Sequence, residues 1–209
     1  MHSTLPDTRH AHRVFAWAYD KFSGPTERGP VGAARRRLVS KARGDVVDLG
    51  AGTGLNTPHL GSGVGALHLI EPDPHMLRRL RERVDDRTVL HHALAEDLPL
   101  PDASVDTVIT TLTMCSVLDV DAAAREARRV LRPGGQLLVL EHVRSIDPRL
   151  AAWQDRLDAL FVRTGGGCHH NRDTAAALAA AGFDTTPLER VVLAGLPTNR
   201  EWLLGRLTR

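Results

Sequence analysis

The sequence predicts an α/β protein, a Rossmann-like sheet of seven strands with helices on both faces, in a single domain. Three observations carry that reading. Residues 46–54, VVDLGAGTG, are a short apolar run ending in an acid and three glycines at alternate positions. Such a stretch reads as a buried strand feeding a tight turn that brings bare backbone, and the free amides of a helix start, against a ligand. A second apolar strand, ALHLIEP at 66–72, also ends in an acid, Glu71. Strand-like runs then alternate with amphipathic helical stretches as far as residue 143, the pattern of a parallel sheet wound on both sides.

Length and composition agree with one domain. A chain of 209 residues buries one good core and has little left for a second. Lys and Arg number 27 against 25 Asp and Glu, for a net charge of +2, so there is no field of the kind that gathers polyanions. Lys21 and Lys41 are the only lysines, and the arginine groups at 35–37 and at 78, 79 and 81 read as solvated helix faces. No nucleic-acid partner is expected. Cys115 and Cys168 lie far apart and neither belongs to a C-x-x-C pair, which argues against a disulfide framework and against a metal site and fits a reducing, cytoplasmic setting. No run approaches the ~18 apolar residues of a membrane span, and the polar, His-rich start has no signal-peptide core. A soluble protein without a stable membrane anchor is expected; its oligomeric state is not readable.

Taken in order, residues 1–9 show no periodicity. From Ala11, apolar positions 11, 14, 15, 18 and 22 describe a helical face beside Trp17 and Tyr19. Residues 23–30 read as a Gly- and Pro-rich loop, and Pro30 starts a second helix to Ser40. Residues 1–44 therefore form an N-terminal helical cap, and 45–209 the main domain. After the glycine loop and a short helix comes the second strand. Its Glu71 stands 17 residues past Gly54, where a carboxylate can accept both hydroxyls of a ribose. Asp73 and Pro74 read as N-cap and first helical residue, with Met76, Leu77, Leu80 and Val84 as the buried stripe. TVLHH at 88–92 is a third strand whose two histidines face opposite ways and cannot share a metal. VDTVITT is a fourth. A helix capped by Asp119, with apolar 120, 123, 124, 127, 130 and 131, ends at Pro133 and two glycines. QLLVLEHV is the fifth strand. A helix from Asp147, with apolar 150, 153, 157, 160 and 161, then TGGGCHHN, a helix at 172–181 and two strands near 184–193 and 201–208 complete the chain.

The glycines are spaced G-x-G-x-G with Asp48 ahead of them, not in the G-x-G-x-x-G of a dinucleotide fold. Together with LPLPDASVD before the fourth strand and LRPGG before the fifth, this resembles the class I S-adenosylmethionine-dependent methyltransferases. The resemblance implies S-adenosylmethionine as cofactor, S-adenosylhomocysteine as product and a strand order of 3-2-1-4-5-7-6 with the last strand antiparallel. It also implies cofactor contacts by Tyr19, Asp48, Gly50, Gly52, Gly54, Asn56, Glu71, Pro72, Met76, Ala95, Glu96, Thr111 and Leu112. Tyr19, in AWAYDKF, either packs in the core or covers the methionine end of the cofactor. Leu94 stands where many relatives place an adenine-binding Asp.

TTLTMCSV after the fourth strand lacks the N-P-P-Y run of base and glutamine methyltransferases and the metal-binding Asp of catechol-type enzymes. CSV at 115–117, LEHV, WQ at 153–154 and the GC loop resemble the small-molecule thiol S-methyltransferases. That resemblance implies a small-molecule acceptor, thiol favoured, near Cys115, His142, Trp153 and Cys168. Phosphatidylethanolamine-type N-methylation and quinone-ring C-methylation are the alternatives, and a nicotinamide oxidoreductase or a non-catalytic cofactor binder lie further off. His142, at the rim of the fifth strand, is either the acceptor's base or a structural histidine. Residues 168–170 fall short of a metal site on chain spacing and read as an acceptor lid.

Overall fold

A computed structural model describes residues 13–85, 88–193 and 197–209. One sheet of seven strands orders them β3-β2-β1-β4-β5-β7-β6. The strands are β1 (Gly44–Leu49), β2 (Val64–Ile70), β3 (Thr88–His91), β4 (Val105–Thr111), β5 (Leu131–His142), β6 (Glu189–Val192) and β7 (Glu201–Thr208). The first five pair in parallel, whereas β7 lies antiparallel to both β5 and β6. The chain order of β1 and β2 therefore reverses beside β4, and the carboxyl ends of β1 and β4 open a crevice of the kind where such sheets take ligands. Val47, Leu49, Val108, Leu137 and Val139 pack on one side of the sheet and Val46, Leu69, Ile109, Leu138 and Leu140 on the other, two separate cores. Continuous apolar runs are what strands covered on both faces require.

The helices are α1 (Arg13–Arg28), α2 (Pro30–Val39), α3 (Pro74–Arg81), α4 (Val120–Val130), α5 (Pro148–Thr164) and α6 (Thr174–Ala180). Asp73 caps α3 by accepting from the His75 and Met76 amides, and Asp119 caps α4 through those of Asp121 and Ala122. The apolar face expected on α1 at 14, 15, 18 and 22 falls on side chains outside the described ones, as do Trp17, Ala11 and residues 1–9.

Four expectations need correction. Residues 23–28 continue α1 through Pro25, which sits in the last turn at the loss of one i→i−4 backbone bond; the Ser23 hydroxyl donates to the Tyr19 carbonyl there. Leu131 belongs to β5, paired with Val105, so α4 stops before Pro133. Arg35 is 2% exposed, not solvated. On α5 the buried residues are Ala151 and Gln154, while Trp153 and Leu160 are each 55% exposed. Gln154 docks that helix by polar bonds, accepting from the Ser145 amide and donating to the Thr198 carbonyl.

Candidate functional site

The glycine turn leaves β1 with Gly50 and Gly52 both at φ +59°, a region open to glycine at little cost. A Cβ at Gly50 would strike Thr113 Cγ2 at 2.7 Å, whereas one at Gly52 would meet nothing nearer than the Gly50 carbonyl at 3.9 Å and Tyr19 Cε1 at 4.0 Å. The backbone is bare at Gly52 because the space above it is a cavity. Glu71 closes one side: Oε2 accepts from the Gly52 amide and Oε1 from the Asp73 amide, each at 2.8 Å. Burial pushes its pKa up to about 7 against those two bonds.

Asp48, Asn56 and Thr111 do not line this cavity; they stand behind the loop. Asn56 Nδ2 donates to Asp48 at 2.8 Å, and Arg35 Nη1 donates to Asn56 Oδ1 at 2.7 Å and Thr111 Oγ1 at 2.8 Å. The rest of the Arg35 guanidinium forks onto Glu27. Gly54 is also absent from the wall, and a Cβ there would press on Leu80. Burial raises Asp48 to about 7 despite Asn56 and Arg35.

The cavity encloses about 280 Å³. From the glycine loop it runs past Tyr19, Pro72, Met76, Leu94, Ala95, Glu96 and Leu112. Its far wall contains Cys115, His142 and Cys168. Tyr19 is half-buried, and its hydroxyl is pushed up to about 12, chiefly by burial. Glu96 Oε1 accepts the Leu118 and Asp119 amides. Trp153 lies outside, on the exposed face of α5 with the Arg156 guanidinium 6.0 Å from its ring centroid, and is no part of the cavity wall.

Glu141 was not read from the sequence as a site residue. Fully buried, it accepts from the Thr110 hydroxyl at 2.5 Å and the Thr113 and Met114 amides at 2.9 and 3.1 Å, fixing the turn that carries Cys115. The glycine loop at 165–168 is tied to the same turn by the His169 amide on the Cys115 carbonyl and Arg172 on the Met114 carbonyl. His142 Nε2 lies 3.1 Å from Cys168 Sγ, with its ring edge-on to His170 and Trp202. Hydrogen bonding to Cys168 and burial push the Cys115 thiol up, and burial holds His170 down at about 4. An acid at the end of β5 was the signal for Glu141: it follows a buried run, as Asp48 and Glu71 do.

A methyltransferase-domain family model matches residues 47–139. The human thiol S-methyltransferase TMT1B is 32% identical over 171 residues, covering 75% of this chain and 70% of its own. The human thiol S-methyltransferase TMT1A is 31% identical, with 70% of this chain and 62% of its own covered. The ubiquinone/menaquinone biosynthesis C-methyltransferase UbiE of Rubrivivax gelatinosus is 29% identical over 72% of this chain and 66% of its own. A solved S-adenosylmethionine-dependent methyltransferase from Thermotoga maritima superposes with a TM-score of 0.67 at 22% identity, covering 94% of this chain and 97% of that one. The sheet order, the cavity at the glycine turn and a relative 32% identical across most of both chains lead to one conclusion: this chain belongs to the class I S-adenosylmethionine-dependent methyltransferases.

Proposed function

We propose that the chain methylates the sulfur of a small-molecule thiol. The observation that carries this reading is the unbroken cavity from Gly52 and Glu71 to Cys115, His142 and Cys168. Its near half fits an adenosine. Glu71 keeps a lone pair on each oxygen for ribose hydroxyls, Met76, Leu94 and Ala95 offer apolar flanks to the base, and Tyr19 covers the turn. Asp48, Asn56, Thr111 and Arg35 act through the loop they support. S-adenosylmethionine, when bound, supplies a methyl group on a sulfonium. The protein's part is to align an acceptor with it and exclude water.

Among the described residues, the carboxylates and histidines that line the cavity already have partners. Glu71 and Glu96 are tied to backbone amides, His170 is paired with Thr198, and His142 Nε2 faces Cys168. A thiol, a few per cent ionised at neutral pH, needs no strong base. An alcohol or a ring carbon would need one. The relatives named for thiol methylation favour the same acceptor, and the likeness to the quinone C-methyltransferase keeps a quinol ring as the second reading. The test is turnover of an alkyl thiol against its hydroxyl isostere. Methyl thioether from the first and nothing from the second is expected; methylation of a demethylquinol with no thiol turnover would move the reading to carbon.

A further inference from the structure

Cys115, His142 and Cys168 stand 27 and 26 residues apart in sequence, yet their ligand atoms all lie within 4.8 Å of one another. Each comes from a different element: the turn after β4, the end of β5 and the glycine loop after α5. We propose that these three side chains bind one zinc ion in the far wall of the cavity, with its fourth position open to the acceptor thiol. The inference rests on the thiol reading for the occupant of that fourth position, but not for the ion itself.

The donor set is the argument. Two thiolates and one neutral imidazole suit zinc and offset its double charge, so a loaded site is electrically neutral where it is buried. Zinc–sulfur and zinc–nitrogen bonds of about 2.3 and 2.0 Å in a tetrahedron put sulfurs about 3.8 Å apart and sulfur and nitrogen about 3.5 Å apart. Ligand atoms already within 4.8 Å of one another stand within about 1.3 Å of that spacing. The frame is already built: Glu141 holds the Cys115 turn, the His169 amide ties the two cysteine loops at 2.8 Å, and His170, stacked on Phe161, and Trp202 hold the His142 ring. A purely structural zinc would be closed by four protein ligands. Three ligands and a cavity on the fourth side make a site that binds something.

An entering thiol displaces water from the metal and releases its proton to solvent, leaving a metal-bound thiolate. Its sulfur forms a bond to the methyl carbon as the carbon–sulfonium bond breaks. That electron pair stays on the cofactor sulfur, which becomes a neutral thioether, and the methylated product leaves the metal.

The full chain, reduced and stripped by chelator, is titrated with cobalt alone. The expected result is one cobalt per chain, the visible absorption of a tetrahedral site and a near-ultraviolet thiolate charge-transfer band, all reversed by zinc. Cys168→Ser and His142→Ala, checked for wild-type circular dichroism, should each weaken cobalt binding by more than about tenfold. An added alkyl thiol should shift the charge-transfer band. Failure of the folded, reduced protein to take up cobalt, or uptake indifferent to both substitutions, overturns the site. So does mild oxidation joining Cys115 to Cys168 in protein that takes no metal, which would make them a redox pair. Cobalt uptake with a band unmoved by thiol keeps the three-ligand site and overturns the acceptor thiol as its fourth ligand. Thiol methylation undiminished in chelated protein that binds no cobalt keeps the thiol reading and overturns the site.

Discussion

Glu71 holds the Gly52 and Asp73 amides and keeps one lone pair on each oxygen, so in its proposed role its charge state governs both the turn and the ribose. Replacing it with Ala removes charge-assisted bonds of about 1.5 to 3 kcal/mol, and S-adenosylhomocysteine affinity measured by calorimetry should fall about tenfold or more. With burial raising the carboxyl to about 7, the acceptor form is lost below that value. Affinity should therefore climb with pH through about 7 and level off above it, and a Glu71→Gln variant should show no such climb. Folding runs the other way. A carboxyl whose folded pKa lies above its unfolded one favours the folded state at low pH, and that contribution is lost as pH rises toward 7. Arg35 is the second residue on which the loop depends. Arg35→Met strands Glu27 and opens the Asn56 and Thr111 network, and urea melts should show a loss of about 3 kcal/mol or more. An unchanged midpoint would mean that the network is ornamental. Nothing in RRR at 35–37 marks which arginine turns inward; the Glu27 partner eight residues upstream was the only hint. Glu71 and the glycines were legible because their chemistry depends on local order along one strand and one turn.

At the level of elements, α1 is the piece whose role the fold does not fix. It packs on α2 and α3 and lends Tyr19 to the cavity wall. If it covers the cofactor, hydrogen exchange across residues 13–28 slows when S-adenosylhomocysteine is added; equal exchange with and without it leaves Tyr19 as a packing residue. Strands and capped helices were legible because their signals are local: Asp before a helix, an apolar run before a turn. α5 was misread because an apolar periodicity does not say which side meets the protein. There Gln154, with its two amide functions satisfied at once, outweighs Trp153 and Leu160. The Pro25 turn was misread because a proline near a helix end removes only one bond.

Across the whole molecule, the sheet brings together what the chain keeps apart. The parallel order puts the ends of β1, β2 and β4 around one crevice, and the insertion of β7 beside β5 buries His142 against Trp202. The glycine-turn end of the cavity could be read from sequence since Gly50, Gly52 and Glu71 follow each other from β1 to the end of β2. Of the far wall, the resemblance named Cys115, His142 and Cys168 along with Trp153, which lies outside; that the three ligand atoms stand within 4.8 Å of one another shows only when β4, β5 and the loop after α5 are folded. Within that wall the acceptor is decided, so the central claim is tested by one competition. Protein, methyl-deuterated S-adenosylmethionine, an alkyl thiol, an ethanolamine lipid and a demethylquinol are incubated together and the products resolved by mass spectrometry. The label is predicted to appear as a methyl thioether, in step with S-adenosylhomocysteine. Label on the amine or the quinol ring, with the thiol untouched, would contradict it.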